Sequence, residues 1–299
     1  MHELLNVSPE VAQALAGRRP VVALESTVIA HGLPRPKNLE TANRLQQIVR
    51  AAGALPATIA VVDGKLTAGT SDDQIRLLAN EEDIRKVSTR DIALAVAQHW
   101  TGATTVASTI WIAHRAGIKV FATGGIGGVH RGSLPDVSAD LPELARTPMI
   151  VVCSGAKIVL DLPATREWLE THAVTIVGYQ CDELPAFYSR TSGLSIDARA
   201  ETPAEVADIF AAQRALGIES ALLVVVPVPV EFEVPAAELQ LVLNTALEDA
   251  ECKGIVGPAL TPFLLSRMAE RSEGATLREN IALLENNARV AAAIAREVV

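Results

Sequence analysis

The sequence predicts an α/β fold, a single large domain in which a largely parallel sheet is flanked by helices on both faces (an α/β/α sandwich). Two observations indicate this class. Short runs of β-branched and other apolar residues recur along the chain, and amphipathic helical patterns lie between most of them. Continuous apolar strands are typical of parallel sheets, because helices cover both sides of such a sheet.

Seven apolar runs are candidates for buried strands. In chain order they span residues 20–24, 58–62, 104–107, 119–123, 149–153, 174–177 and 222–226. Helix start signals stand at 71–74 (Ser-Asp-Asp-Gln) and 202–205 (Thr-Pro-Ala-Glu), where the first side chain caps backbone N–H groups and the fourth reaches back. The last helix is expected to begin at Thr276, with Glu279 as its capping-box partner. Its predicted inner face comprises Leu277, Ile281, Leu284 and Ala288.

Composition bounds the class of protein. No Pro/Gly/Ser-rich linker divides the 299 residues, so one domain over 1–299 is expected. A net charge of -9 and only 3% aromatic residues argue against a nucleic-acid surface, which needs basic patches and stacking platforms. An anionic substrate would therefore need a local pocket of positive charge.

Cysteine usage and the apolar runs indicate a reduced, cytoplasmic protein outside the membrane. The three cysteines, Cys153, Cys181 and Cys252, are widely spaced and fit neither a disulfide framework nor a zinc site. The N-terminus lacks the basic and apolar regions of a signal peptide, and the longest apolar run, 221–230, is broken by two prolines.

Polar residues that follow the apolar runs are the candidates for chemistry, because ligands of open α/β sheets bind where the strands end. Lys157 is the only cation in a mostly apolar stretch, 148–162. Burial would disfavour its ammonium form and leave an amine that attacks carbonyl groups; alternatively, its stem packs on the core while the ammonium reaches water. Glu25 follows the first run and could act as a general acid, or could accept hydrogen bonds from the backbone of Ser26 and Thr27.

The glycine run 124–128 does not match the dinucleotide pattern G-x-G-x-x-G, because His130 stands where the last glycine should be. With Thr123, His130 and Arg131 beside it, the loop could hold a phosphate or a sugar, or it could be a surface turn.

Three further groups have two interpretations each. Asp136, Ser138 and Asp140 could bind a hard divalent cation and hydroxyl groups, or form a turn or a helix cap. Lys86 could supply a cation for a phosphate if it points inward, or be a solvated charge. Asn280, in the first turns of the last helix, could contact a ligand or face solvent.

Long segments spread over nearly the whole chain carry a resemblance to a known family. They are ALESTVIAHGLPRPKN, VDGKLTAG, KVSTRDIALA, ASTIWIAHRAGIKVFATGGIGGVHRG, DVSADLPEL, VVCSGAKIVLDL and DELPAFYSRTSG. Their order and spacing resemble the pseudouridine-5′-phosphate glycosidases. The resemblance implies an α/β/α fold, a homotrimer, a divalent metal, usually manganese, and reversible cleavage of pseudouridine 5′-phosphate to uracil and ribose 5-phosphate.

The resemblance also implies roles for individual residues. It places the proton donor at Glu25, the imine-forming lysine at Lys157 and the metal ligand at Asp136. The positions that match substrate-binding or active-site residues of the family are Lys86, Val106, His130, Ser138, Ala139, Asp140 and Asn280. One departure is Val226, where the family's usual N-P-I-P run leads us to expect asparagine, and it bears on a loop contact near Pro227.

The implied chemistry explains the need for a lysine. A C-glycoside joins sugar carbon to base carbon, so the paired-carboxylate hydrolysis used on ordinary glycosides has a poor leaving group. An imine-forming lysine offers a lyase-type route through a ring-opened sugar. Two alternatives stay open from the residues: an imine-forming sugar-phosphate aldolase, and a non-catalytic protein that binds sugar phosphates or nucleotides.

Overall fold

The predicted α/β class is confirmed by a computed structural model that describes residues 4–131, 136–255 and 260–298. Within these residues, eleven strands form one sheet. They are β1 (Leu5–Val7), β2 (Val21–Leu24), β3 (Leu55–Val62), β4 (Lys65–Ala68), β5 (Arg85–Val87), β6 (Gly102–Thr104), β7 (Val120–Ala122), β8 (Ile150–Cys153), β9 (Thr175–Tyr179), β10 (Ala198–Ala200) and β11 (Leu222–Val225).

The strand order is β1-β4-β3-β2-β7-β8-β11-β9-β10, and all neighbours from β3 onward in this order are parallel. The long strand β3 makes the exception. Its first half pairs with β2, whereas its second half pairs antiparallel with β4 and with β6, which in turn carries β5. The sheet therefore forks beside the carboxyl end of β2.

The helices flank this sheet. They are α1 (Pro9–Ala16), α2 (Lys37–Ala51), α3 (Asp72–Asn80), α4 (Ile92–Ala97), α5 (Val106–Arg115), α6 (Asp140–Leu144), α7 (Leu162–Thr171), α8 (Pro203–Ala215), α9 (Ala236–Cys252), α10 (Leu260–Arg271) and α11 (Ala275–Glu297). The long helix α11 contacts β2, β7 and β8 and so lies over the middle of the sheet. None of the described helices is both long and apolar enough to cross a membrane.

Six of the seven predicted runs contain a strand. The strand predicted over 104–107 is wrong. There β6 ends at Thr104 and α5 begins at Val106. The reason is the Thr105 side chain, which accepts a hydrogen bond from the Ser108 N–H at 3.5 Å and caps the helix. The apolar residues that suggested a strand are instead the buried first turn of α5.

Of the helix start signals at 71–74 and 202–205, the first forms a full capping box and the second forms only the cap. The capping box at 71–74 is present in both directions, with Gln74 N–H to Ser71 Oγ at 3.3 Å and Ser71 N–H to Gln74 Oε1 at 2.9 Å. At 202–205 the Thr202 side chain caps the helix by accepting from the Glu205 N–H. The Glu205 carboxylate, however, accepts from the Glu201 N–H and not from the Thr202 N–H.

The predicted capping box of the last helix is wrong. Helix α11 begins at Ala275, after Gly274 in the left-handed conformation (φ 78°). Thr276 lies inside the helix and donates its N–H to Ser272 Oγ at 3.1 Å. Glu279 accepts from the Val234 N–H at 3.4 Å, a tertiary contact that no local pattern specifies. On the predicted inner face, Leu284 and Ala288 are buried, whereas Leu277 and Ile281 are only partly buried.

Candidate active site

Three of the candidate groups follow adjacent strands of the sheet. Glu25 comes directly after β2, Thr123 directly after β7, and Lys157 four residues after β8. Because β7 lies between β2 and β8 and all three run parallel, these residues meet at one edge. This is the edge at which open α/β sheets bind their ligands.

The Glu25 carboxylate accepts a short hydrogen bond from the Thr123 hydroxyl. This replaces the sequence alternative of hydrogen bonds from the Ser26 and Thr27 backbone. Burial raises the pKa of Glu25, and the nearby Asp140 carboxylate acts in the same direction; the Lys157 ammonium, the Thr123 hydrogen bond and Lys86 oppose the rise. A raised pKa favours the protonated form of a carboxyl group, which can donate its proton to a substrate.

Hydroxyl groups behind Glu25 fix the fork of the sheet. Ser26 Oγ donates to the Ile59 carbonyl at 2.7 Å and accepts from the Thr104 N–H at 2.8 Å. Thr104 Oγ1 donates to the same Ile59 carbonyl at 2.7 Å, and Thr27 Oγ1 donates to the Thr104 carbonyl at 2.7 Å. Since Ile59 lies on β3 where its pairing changes from β2 to β6, these bonds hold the end of β2 in place.

Two cations act on this site. Lys86 lies on β5, opposite Ala103 of β6, and is exposed to solvent, although neighbouring groups partly desolvate its amine. Burial nevertheless lowers the pKa of Lys86, the Lys157 ammonium lowers it further, and Asp140 and Glu25 oppose the fall. The charges of Lys86 and Lys157 therefore act on Glu25, and those of Lys157 and Glu25 act on Lys86, at the strand ends.

Asp140 holds protein backbone. Its Oδ1 accepts from the Ala107 N–H at 2.9 Å and its Oδ2 accepts from the Gly127 N–H at 2.8 Å. The carboxylate thus joins the first turn of α5, which begins with the buried Val106, to the glycine run. In the structure, Asp140 positions these two backbone segments. The substrate contacts expected of Val106 and Asp140 stay predictions.

The segment that leads into α6 packs on the glycine run. Ser138 donates its N–H to the Gly128 carbonyl at 3.0 Å, and Ser138 Oγ accepts from the Asp140 N–H at 3.3 Å. A Cβ atom at Gly127 would collide with Ser138 Oγ, so the close approach requires glycine there. Ala139 is exposed at the start of α6. The final glycine of the resembling segment, Gly132, lies outside the described residues.

Asp136 is an exposed carboxylate beside this loop. Its backbone carbonyl accepts from the His130 N–H at 2.8 Å, and its side chain makes no hydrogen bond or ion pair with another described residue. The described ranges contain no cluster of three or more His, Cys, Asp or Glu side chains that could hold a metal ion. Asp136 offers a hard divalent cation a single carboxylate, with water for the other ligands, so the metal implied by the family resemblance stays a prediction.

Helix α11 supplies a residue that the sequence analysis missed. Asn287 is fully buried and its Nδ2 donates to the Thr123 carbonyl at 2.9 Å and to Ser154 Oγ at 3.1 Å. It therefore clamps the carboxyl ends of β7 and β8 together. Asn280, seven residues earlier on the same helix, is also buried. An amide among Leu283, Leu284 and Ala288 on an apolar face was the signal that could have identified Asn287.

Val226, the departure from the family pattern, extends the pairing of β11 with β8. Its N–H donates to the Cys153 carbonyl at 2.8 Å, and its side chain is buried. The valine at this position therefore packs in the core behind the strand ends.

The chain matches known proteins over almost its full length. A family model described as indigoidine synthase A like protein matches residues 10–297. A protein of Solibacter usitatus named pseudouridine-5′-phosphate glycosidase is 50% identical over 293 residues, which cover 97% of this chain and 98% of the relative. One of the same name from Herpetosiphon aurantiacus is 53% identical, with 97% of each chain covered. The chain belongs to the pseudouridine-5′-phosphate glycosidase family.

Solved structures similar to this pseudouridine-5′-phosphate glycosidase family member agree with its fold. A prealnumycin C-glycosynthase in complex with ribulose 5-phosphate superposes with a TM-score of 0.91 at 41% identity, covering 99% of this chain and 97% of that one. An indigoidine synthase A-like protein from Thermotoga maritima superposes with a TM-score of 0.90 at 39% identity, covering 98% and 96%. The resemblance inferred from the sequence motifs is thereby confirmed.

Proposed function

We propose that the protein catalyses the reversible cleavage of the C–C glycosidic bond of pseudouridine 5′-phosphate to uracil and ribose 5-phosphate. The observation that carries the proposal is the convergence of Glu25 and Lys157 at the ends of β2 and β8, on either side of β7, where the Lys157 ammonium acts on the pKa of Glu25. The names of the relatives and the sugar phosphate bound to the C-glycosynthase support the same substrate class.

Glu25 begins the reaction as the general acid. It donates a proton to the ring oxygen of the ribose while the sugar opens, and the burial that raises the pKa of its carboxyl favours the protonated form. The Lys157 amine then bonds to C1′ of the opened sugar. The nitrogen then loses the proton it carried into this bond, and its electron pair forms a double bond to C1′ as the bond between C1′ and carbon 5 of the base breaks. The electron pair of that bond leaves with uracil, and carbon 5 takes up the proton that the nitrogen released. An imine remains between C1′ and Lys157, and water releases it as ribose 5-phosphate.

The cations and the glycine run position the substrate. Lys86 binds anionic parts of the substrate. Its amine has no ion-pair partner among the described residues, so its charge is available to the substrate. The substrate roles of Val106, Ser138, Ala139, His130 and Asn280 are carried over from the family. His130 follows the glycine run, Ser138 and Ala139 lie on the segment before α6, and Val106 and Asn280 lie on α5 and α11.

A divalent cation, manganese in the first instance, is part of the proposal. Asp136 would hold it, and the ion would supply positive charge and bound water molecules near the phosphate or the base. We also propose that the protein is a homotrimer, which sedimentation of the purified protein tests: a monomeric mass would contradict it.

Borohydride trapping tests the imine. After incubation with ribose 5-phosphate, reduction and digestion, mass spectrometry is expected to find the pentitol phosphate attached at Lys157 and at no other lysine. A matched sample of Lys157→Arg controls for adventitious reductive alkylation. Since an aldolase would also be trapped, detection of uracil as a product separates the glycosidase from that alternative, and the absence of turnover would favour the non-catalytic binding protein.

A further inference from the structure

Thr123 is hydrogen-bonded to the side chain of Glu25. Within residues 4–131, 136–255 and 260–298, its hydroxyl is the one group that donates a hydrogen bond to the Glu25 carboxylate. The bond joins β7 to β2 across 98 residues of sequence. Only Oε1 of the carboxylate is held in this way, so Oε2 has no donor in the part of the chain that the structure describes.

Thr123 is itself held from three directions. Its side chain is 1% exposed, its N–H donates to the Val152 carbonyl at 3.0 Å, and its carbonyl accepts from Asn287 Nδ2 at 2.9 Å. A β-branched side chain with a fixed backbone has little freedom about χ1. The hydroxyl therefore cannot follow Glu25 if that side chain rotates, and it acts as a fixed point against which the carboxylate is oriented.

The two oxygens of the Glu25 carboxyl group have different roles in this arrangement. A hydroxyl has one proton to donate, and here that proton occupies Oε1. The proton to be transferred to a substrate must then be carried by Oε2. We propose that Thr123 is a positioning residue that holds Oε1 of Glu25 and so directs Oε2 toward the substrate. The inference rests on the proposed role of Glu25 as the general acid.

The same bond sets how readily Glu25 ionises. Burial raises the pKa of Glu25, as does Asp140, whereas Lys157, the Thr123 hydroxyl and Lys86 oppose that rise. Removing only the hydroxyl leaves the burial and the three charged neighbours in place. The Glu25 pKa must then move upward, and the carboxyl must lose its fixed orientation.

Three variants separate positioning from folding. Thr123→Val replaces the hydroxyl by a methyl group of similar volume, and Thr123→Ser retains the hydroxyl. The control is Thr147→Val, because Thr147 is likewise buried and donates its hydroxyl to a carboxylate, that of Glu143, at 2.6 Å. Thr147 precedes β8 and so lies at the opposite edge of the sheet from the strand ends.

The kinetic test is the turnover of pseudouridine 5′-phosphate as a function of pH. Thr123→Val is expected to lower kcat by roughly tenfold to a hundredfold while KM changes by less than about threefold. The reason is that a general acid in the wrong orientation supplies only part of its usual rate enhancement. The limb of the pH profile that reports Glu25 should move to higher pH. Thr123→Ser should recover most of the lost kcat, and Thr147→Val should retain the parental kcat and profile.

A titration that needs no turnover keeps the inference distinguishable from the proposed function. Difference infrared spectra, with Glu25→Gln used to identify the Glu25 band, are expected to show a higher Glu25 pKa in Thr123→Val than in the parent and in Thr147→Val. If the parent protein released no uracil but this shift occurred, the substrate would be wrong and the positioning role of Thr123 would stand. A Thr123→Val protein with the parental titration, or with parental kcat, would overturn the inference, as would a Thr123→Ser protein as slow as Thr123→Val.

Discussion

Burial and the neighbouring Lys157 ammonium together lower the pKa of Lys86. The two lysines come from β5 and from the loop after β8, and they face one site at the end of the sheet. Two like charges held close together repel each other, and an anion bound between them relieves that repulsion. Within a protein of net charge -9, the two lysines thus form a local concentration of positive charge that suits the phosphate of the proposed substrate.

Lys86→Gln is expected to weaken substrate binding more than it slows the chemistry. The variant keeps a polar side chain that is one atom shorter and removes the charge, so KM for pseudouridine 5′-phosphate should rise by about tenfold, equivalent to about 1.4 kcal/mol. The dependence of KM on ionic strength should become shallower as well. Lys37→Gln, which removes a lysine paired with Glu40 on the surface of α2, should leave KM unchanged. A parental KM in Lys86→Gln would argue against the anion site.

Asp140→Asn tests the clamp between α5 and the glycine run. In asparagine an NH2 group replaces one of the two accepting oxygens and would face the N–H of Ala107 or Gly127, so one of the two bonds is lost. A charge-assisted hydrogen bond contributes roughly 1.5–3 kcal/mol, and the expected loss in free energy of unfolding is about 3 kcal/mol by urea denaturation. Asp161→Asn is the control, because Asp161 caps α7 through a single bond to the Ala164 N–H and asparagine caps a helix equally well. Equal unfolding midpoints for the two variants would contradict the clamp.

Glu279 is expected to make stability fall as pH rises. Burial raises the pKa of this carboxyl from an ordinary value of 4.5 to about 8, and its Oε2 has no partner among the described residues. The folded state therefore binds more protons than the unfolded state between about pH 4.5 and about pH 8, so its stability declines across that window.

Glu279→Gln removes this ionisation. At pH 8 the variant should be more stable than the parent by roughly 1–3 kcal/mol, since each pKa unit corresponds to about 1.4 kcal/mol and water screens part of the effect. Thermal unfolding scans between pH 5 and pH 8 check the change in slope. The exposed Glu297→Gln on the same helix serves as the control. Parallel slopes for the parent and Glu279→Gln would rule out the proposed ionisation.

Removal of divalent metal is expected to abolish turnover, and manganese should restore it. Asp136→Asn should bind manganese about tenfold more weakly, because the variant loses the one carboxylate assigned to the ion. Manganese binding can be followed by electron paramagnetic resonance without substrate. Asp182→Asn, at an exposed carboxylate paired with Arg199, is the control. Full activity after exhaustive chelation would exclude the metal role of Asp136.

Local patterns identified the fold class and the polar residues at the strand ends, including Glu25 and Lys157. They could not identify how those residues meet. The adjacency of β2, β7 and β8 is a property of long-range pairing, and the contact between Thr123 and Glu25 follows from it. Asn287 reaches Thr123 across 164 residues, so a pattern read over a few turns of helix does not predict its partners.

The misread run at 104–107 has a local cause. Val106 and Ala107 are buried whether they form a strand or the first turn of a helix, so their apolar character does not separate the two. The cap formed by Thr105 decides the outcome, and its signal is weak because threonine is also common in strands.

The most direct test of the central claim is chromatographic detection of uracil and ribose 5-phosphate from pseudouridine 5′-phosphate and manganese. The parent protein is compared with Lys157→Ala and with Lys65→Ala, which removes an exposed lysine of β4. The parent and Lys65→Ala are expected to release both products, whereas folded Lys157→Ala releases neither. Product formation by Lys157→Ala at the parental rate would contradict an imine at Lys157, and the absence of product from the folded parent would contradict the proposed reaction.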